Sequence, residues 1–180
     1  KREMKRRFES EGVCTARFRE VSTLEELRQA FDLFEKPVIC KAVDTSGSRG
    51  IIRVDTADDL PHAFEYVMRS TRQKYFLVEE FISGVEFGAQ AAVIDGEAQF
   101  VMPHGDILYH GKTDVPIGHY VPYSMSDQVK SLVWTQLDKS ITALGLTTCA
   151  INADFILRGD HVYVLEIGAR AGATCLPELV

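Results

Sequence analysis

The spacing of apolar residues changes period several times along the 180-residue chain, and each change marks a predicted element. Met4 and Phe8 stand at i and i+4, which predicts a helix over residues 1–11 stopped by Gly12. Cys14, Ala16 and Phe18 then alternate with Thr15, Arg17 and Arg19, so residues 13–19 predict a strand. Ser22 with Glu25 three residues on is a capping-box pattern, followed by the helical stripe Leu24, Leu27, Phe31 and Phe34. Residues 37–43 and 51–54 predict strands. Thr56 is the expected N-cap of the next helix; Asp58 and Asp59 suit its first turn, and Leu60, Phe64 and Val67 or Met68 form its inner face. Residues 75–82 predict a buried strand, and Asp95-Gly96 a hairpin turn between strands over 86–94 and 97–102. Over residues 103–125 the period is lost, and Pro103-His104-Gly105-Asp106 and Gly111-Lys112-Thr113-Asp114 are expected to be loops between short strands. Ser124 or Ser126 caps the longest helix, 127–144, whose stripe is Val129, Val133, Leu137, Ile141 and Leu144 and whose end is Gly145. Residues 148–157 predict a strand, and a last helix is expected from near Thr174.

The chemistry concentrates in three places. Two apolar-rich runs flank Arg158-Gly159-Asp160, the pattern of a β-hairpin. Centring its turn near residue 160 sets Asp154 opposite Glu166, with Asp154, Ile156, Val164 and Glu166 on one face. Facing carboxylates repel, and a hard divalent cation between them would reverse the sign. Arg170 follows within a short loop, as a phosphoryl-transfer site would need; the alternative is a solvated edge hairpin. Lys41 sits inside an apolar strand, where an ammonium must either snorkel or face an anion. The Asp44-Thr45-Ser46-Gly47-Ser48-Arg49-Gly50 loop beside it is either a phosphate-covering loop rich in backbone donors or a plain turn.

Composition narrows the field. The chain is 46% hydrophobic and 26% charged, a globular balance, and its net charge of −6 argues against nucleic acid as the main partner. Cys14, Cys40, Cys149 and Cys175 form no CxxC pair, which fits a reducing, cytoplasmic setting. No apolar run is long enough for a membrane helix, so no membrane partner is expected. Both ends read as cuts, and further N- and C-terminal segments of the same protein are expected partners.

The lysine-bearing strand, the Gly-Ser-Arg-Gly loop, Val-Glu-Glu-Phe-Ile-Ser-Gly-Val-Glu at 78–86 and Leu-Glu-Ile-Gly-Ala-Arg at 165–170 together resemble the ATP-grasp superfamily. The chain is similar to its carboxylate–amine ligase group, which includes biotin carboxylase, carbamoyl phosphate synthetase and the L-amino acid ligases. The resemblance covers nearly the whole chain. It implies an α+β, ATP-grasp fold of two lobes with antiparallel sheets, lacking the Rossmann-like domain that usually precedes it. The implied segments are an entry helix over 1–13, a small lobe over 14–80 and a large lobe over 81–180. The family holds ATP between its lobes, with Mg2+ as metal and Mn2+ as an alternative. By resemblance, Lys1 and Lys41 contact phosphates, and Gly47, Ser48, Arg49 and Gly50 close over the β- and γ-phosphates. Glu79, Glu80, Phe81 and Ile82 form the adenine-reading hinge, and Glu86 accepts the ribose hydroxyls. Asp154 and Glu166 resemble the metal acids, and Arg170 with Lys41 the catalytic cations. His119, in Gly118-His119-Tyr120-Val121-Pro122, resembles a Gly-His-x-x-Pro segment of some members and faces substrate or is structural.

The implied reaction forms an acyl phosphate from a small carboxylate and passes it to an amine, as in amino acid or peptide ligation. The alternatives are an ATP-dependent carboxylase or other acyl-phosphate-forming enzyme on the same fold, or a non-catalytic nucleotide-binding module. Relatives are often dimers, so a homodimer is an expectation. The sequence departs from the family pattern at Gly168, where Asn is usual, and at Ala171-Gly172-Ala173, where x-Gly-Gly is common.

Overall fold

The computed structural model describes residues 1–110 and 114–173. They divide into two units, one of Lys1–Arg2 with Ala16–Ile82, the other of Glu3–Thr15 with the chain from Ser83 on. The expected α+β class with two antiparallel sheets is what the structure contains.

Helix α1 (Arg2–Ser10) opens the chain, and Gly12 ends it with φ +64°. The first unit then runs β1 (Phe18–Val21), α2 (Leu24–Leu33), β2 (Val38–Lys41), β3 (Ile51–Val54), α3 (Leu60–Ser70) and β4 (Phe76–Glu80). Its sheet has the order β1-β4-β2-β3, with every pair antiparallel. Leu27, Ala30 and Phe31 from α2 and Leu60, Ala63 and Val67 from α3 pack with Val38, Cys40, Val54, Phe76 and Val78 in one core. Strand alternation sends Lys41 and Glu79 to the opposite face of this sheet.

Two boundaries differ from the sequence reading. The helix α2 is capped by Thr23, not Ser22. Its Oγ1 accepts from the Glu26 N–H at 3.2 Å, and the Glu26 carboxylate accepts from the Thr23 and Ser22 N–H groups. The capping box is real but shifted by one residue, because Thr23-x-x-Glu26 satisfies the same spacing rule. Thr56 caps a short 3-10 turn rather than α3, and its hydroxyl donates to Asp59 instead of accepting from a backbone N–H. Strand β1 also starts later than expected. Residues 13–17 lie outside the sheet; of the alternating set Ala16 and Phe18 are buried and Cys14 half-buried, while Val13, of the opposite parity, is buried as well.

The second unit continues with β5 (Val85–Ile94), β6 (Glu97–His110), β7 (Asp114–Tyr120), α4 (Asp127–Leu144), β8 (Cys149–Arg158) and β9 (His161–Gly168). Its antiparallel sheet has the order β7-β6-β5-β8-β9. One face carries Phe87, Ala89, Ala91, Ile151, Ala153, Phe155, Val162 and Val164, and packs on Val133, Leu137 and Ile141 of α4 and Phe8 of α1. Ser126, one of two expected caps, accepts from the Val129 N–H, and Gly145 closes α4 in the left-handed region.

Pro103-His104-Gly105-Asp106 is no loop; it lies in the middle of the fourteen-residue strand β6. Its turn-like composition has a packing cause. A Cβ on Gly105 would fall 2.1 Å from the Tyr120 ring, so glycine makes room for an aromatic lying across the strand pair. Of the expected loop Gly111-Lys112-Thr113-Asp114, Asp114 instead opens β7, and the rest, like the expected helix from Thr174, lies outside the described residues.

Candidate functional site

The face of the second sheet turned away from α4 is polar, and strand register builds it row by row. Gly88 on β5 pairs with His104 on one side and with Asp154 on the other, and Asp154 pairs with Glu166. His104, Gly88, Asp154 and Glu166 therefore form one row across four strands. Glu86 lies two residues before Gly88 and Asp106 two after His104, so both share the face. In the next row Gln90 donates to Asn152 Oδ1 at 2.6 Å and accepts from the Gly172 N–H at 2.7 Å, tying the Arg170 loop to the sheet.

The face assignment made from the hairpin needs one correction. Asp154 does stand opposite Glu166, but Val164 pairs with Phe155, and the register shifts between Asp154 and Phe155. Leu165 is the extra residue of a bulge, so Val164 points into the core while Glu166 points to the polar face. The residues ahead of β1 hold this bulge. Cys14 O accepts from the Val164 N–H at 2.7 Å, and Thr15 Oγ1 donates to Val164 O at 2.7 Å. The buried Lys5 ammonium donates to Thr15 Oγ1 at 2.7 Å.

The electrostatics of this face favour a cation. The Asp154 pKa is pushed up from 3.8 to about 6, first by desolvation from the surrounding protein and then by Glu166 and Asp106, with Glu86 adding to them and His104 opposing. Its side chain nevertheless keeps solvent contact. Facing carboxylates whose repulsion raises a pKa fit a hard divalent ion, which takes oxygen ligands and removes that repulsion. At Gly168 an added Cβ would meet nothing closer than Arg170 Cγ at 3.6 Å. There is room for a side-chain ligand there, and the sequence supplies none.

Beside the acids lies a cluster that the sequence reading missed. His104 Nδ1 and His119 Nδ1 approach Asp106 Oδ1 at 3.1 and 2.6 Å. Burial alone would raise the Asp106 pKa, but these two hydrogen bonds bring it below the usual carboxylate value. An ionised carboxylate only accepts, so both imidazoles carry their proton on Nδ1. His104 is 2% exposed, and its Nε2 has no hydrogen-bond partner among the described residues. The i, i+2 spacing of His104 and Asp106 was visible in the sequence, but the loop assignment hid it.

In the first unit, Lys41 Nζ is 2.9 Å from Glu79 Oε2, with the two side chains 17% and 3% exposed. Lys1 Nζ donates to Thr45 O at 3.0 Å, at the start of the glycine-containing loop. Gly47, Ser48 and Gly50 have φ of 63°, 56° and 66°, which turns this loop through successive left-handed residues. A Cβ on Gly50 would collide with Ala42 and Ser70 at 2.7 Å, so only glycine fits. Arg49 folds back, donating from Nε to Ser46 O at 3.0 Å. Glu80 binds Arg17 through its backbone N–H and guanidinium, Phe81 lies under the Arg53 guanidinium at 4.8 Å, and Ile82 is buried. In the second unit Arg170 is exposed and donates to Ala171 O at 2.8 Å.

The structure thus groups Lys41 with Glu79 and Lys1 with the loop in one unit, and Glu86, Asp154 and Glu166 in the other. A lysine-bearing sheet with a glycine loop, and in the other unit a sheet with facing acids, are the features on which the sequence resemblance rests. The chain belongs to the ATP-grasp domain family, whose model matches residues 1–174. It is similar to phosphoribosylglycinamide synthetase from Anaerococcus prevotii, with 43% identity and a TM-score of 0.73 over 98% of this chain and 44% of that one. It is 27% identical to the formate-dependent phosphoribosylglycinamide formyltransferase of Erythrobacter litoralis over 88% of this chain and 42% of the relative. It is 24% identical to the alanine–anticapsin ligase of Bacillus subtilis over 99% of this chain and 43% of the relative. The chain therefore spans less than half the length of each of these proteins.

Proposed function

We propose that this chain is the nucleotide-binding part of an ATP-dependent carboxylate–amine ligase. The observation that carries the reading is the Asp154–Glu166 pair, set opposite each other on a polar sheet face, where burial and then the charge of Glu166 raise the Asp154 pKa. In this reading Asp154 and Glu166 hold Mg2+, or Mn2+, which when bound neutralises charge on the triphosphate. Lys41 and the N–H groups of residues 47–50 bind phosphates, with Lys1 tethered beside them. Residues 79–82 read adenine, and Glu86 accepts the ribose hydroxyls.

A carboxylate oxygen of the substrate attacks the γ-phosphorus, and the bond from phosphorus to the ADP oxygen breaks. The amine then attacks the acyl carbon, phosphate leaves, and the amine proton passes to solvent. Arg170 stabilises the negative charge on the transferring oxygens. The nucleophiles belong to the substrates, so no side chain of the protein needs to be one. Small-molecule carboxylate and amine substrates, further segments of the same protein and a second copy in a homodimer are the partners of this reading, and its setting is the cytoplasm. Among the described residues no helix is long and apolar enough to cross a membrane.

Gly168 favours a second reading, a nucleotide-binding module without turnover, because it withholds a side-chain metal ligand. Calorimetric titration with a non-hydrolysable ATP analogue tests the site. Binding is expected to depend on Mg2+ and to weaken at least about tenfold in Glu166→Gln, the loss of one charged ligand. Absence of binding by folded protein overturns the reading. In a longer form of the protein, phosphate release that requires an amine supports the ligase, and binding without release supports the module.

A further inference from the structure

We infer that His104, Asp106 and His119 form a separate metal site, which takes Zn2+ through two imidazole nitrogens and one carboxylate oxygen. The inference does not depend on the proposed role of Asp154 and Glu166.

Strand pairing gathers the three ligands. Asp106 on β6 pairs with His119 on β7, and His104 lies two residues before Asp106, so all three share one face of the two strands. One ligand atom from each residue lies within 4.8 Å of the other two. His104 Nδ1 and His119 Nδ1 approach the same Asp106 oxygen, Oδ1, at 3.1 and 2.6 Å. A tetrahedral ion with bonds of about 2.0–2.2 Å sets its ligand atoms roughly 3.4 Å apart. Two imidazoles on such an ion have ring centres about 5 Å apart. The His104 and His119 ring centres are 5.0 Å apart, with the planes inclined at 79°. Small rotations of the Asp106 carboxylate and the two rings therefore admit the ion without a change of strand register.

A neutral imidazole ligates through its bare nitrogen, so the ion replaces the two Nδ1 protons, which pass through solvent to Nε2. For His104 the exchange leaves Nε2 a buried atom without a partner among the described residues, an acceptor before and a donor after, so it adds no new orphan. The ring is held on both edges, by Asp106 at Nδ1 and by Gly88 on the other side, where a Cβ would fall 2.2 Å from Cε1 and 2.4 Å from Nε2. The His104, Asp106 and His119 side chains are 2%, 18% and 10% exposed, so little water competes for their ligand atoms. Two nitrogens and an oxygen suit Zn2+ with a fourth position left to water, whereas Mg2+ and Ca2+ take oxygen ligands. Because β7 is the edge strand of its sheet, an ion shared with β6 cross-links that edge.

Cobalt is the probe, because Co2+ accepts the same donors as Zn2+ and is coloured. Tag-free, metal-free protein is titrated with Co2+ in excess Mg2+, which occupies oxygen-only sites. The expected result is a single equivalent of bound Co2+ with a tetrahedral visible spectrum, discharged by a single equivalent of Zn2+. His104→Gln, His119→Gln and Asp106→Asn should each weaken Zn2+ binding about a hundredfold, and Glu166→Gln should leave it unchanged. Folded protein that binds no Co2+ under these conditions carries a hydrogen-bonded triad and not a metal site, which overturns the inference. A spectrum with thiolate charge-transfer bands, one lost in Glu166→Gln, or one that survives in the histidine variants also overturns it. If the variants fail to fold, histidine 15N NMR of the wild-type protein decides. Zn2+ should convert two of the five histidines from the Nδ1–H to the Nε2–H tautomer, and unchanged tautomers overturn the inference. The acid pair is tested separately, by the Mg2+ dependence of nucleotide binding, so either reading can fail without the other.

Discussion

Both sheets place charge on the face turned away from their helices, and they treat that charge in opposite ways. In the first unit the buried Glu79 carboxylate lies 2.9 Å from the Lys41 ammonium, so the charges largely cancel. In the second, burial first and then the charges of Glu166, Asp106 and Glu86 raise the Asp154 pKa. The first arrangement is self-sufficient once folded. The second keeps an electrostatic cost in the empty protein that a cation relieves. A face that repels itself is therefore better evidence for a ligand than a face that is merely polar.

The sharpest way to break the comparison is to unbalance the neutral face. Glu79→Ala should destabilise the protein by about 3 kcal/mol in urea denaturation, because it strips a mostly buried lysine of its counter-charge. Replacing both partners, Lys41→Met with Glu79→Leu, should be nearly neutral for the same reason. Retention of wild-type stability by Glu79→Ala would show that the pair contributes little.

A smaller effect is expected from the row on the acidic face. Gly88→Ala places a methyl where the His104 ring lies and should cost about 2 kcal/mol through overpacking. Gly47→Ala, whose Cβ would meet nothing within 4 Å, should cost only the left-handed backbone strain, about 1 kcal/mol. Equal losses in the two variants would mean that the ring moves aside freely.

The smallest effect has the opposite sign. With Asp154 titrating near 6 rather than 3.8, the folded metal-free protein holds a proton between these values that the unfolded chain has released. Stability therefore falls as pH rises through that window and stays lowered above pH 6. Asp154→Asn removes the cost. The gain should be about 1 kcal/mol at pH 8, a value discounted because the side chain keeps solvent contact, and should vanish near pH 4. Thermal denaturation of metal-free protein at both pH values checks it, and a gain independent of pH would point to packing instead of charge.

Much of this was legible in the chain. Helical stripes such as Val133, Leu137 and Ile141 located α4, and the turn signal at Gly159 located the hairpin that carries Asp154 and Glu166. These are short-range consequences of period and turn chemistry, which neighbouring residues carry by themselves. The capping box at Thr23 was misplaced by one residue, because Ser22 and Thr23 each precede a glutamate by three and sequence spacing alone does not choose between them.

What the tertiary structure decided depends on contacts between distant segments. Gly105 and Pro103 look like loop residues until Tyr120 is laid across the strand. Leu165 looks like an ordinary strand position until Cys14 and Thr15 bind Val164 and hold the bulge that turns Glu166 outward. His104 joins the row of Asp154 only when register brings it beside Gly88, and Gly88 beside Asp154. The amino-acid order by itself determined the elements, since period and turn act locally. Which side chains meet around those acids was left to strand pairing, a long-range choice that no local pattern encodes.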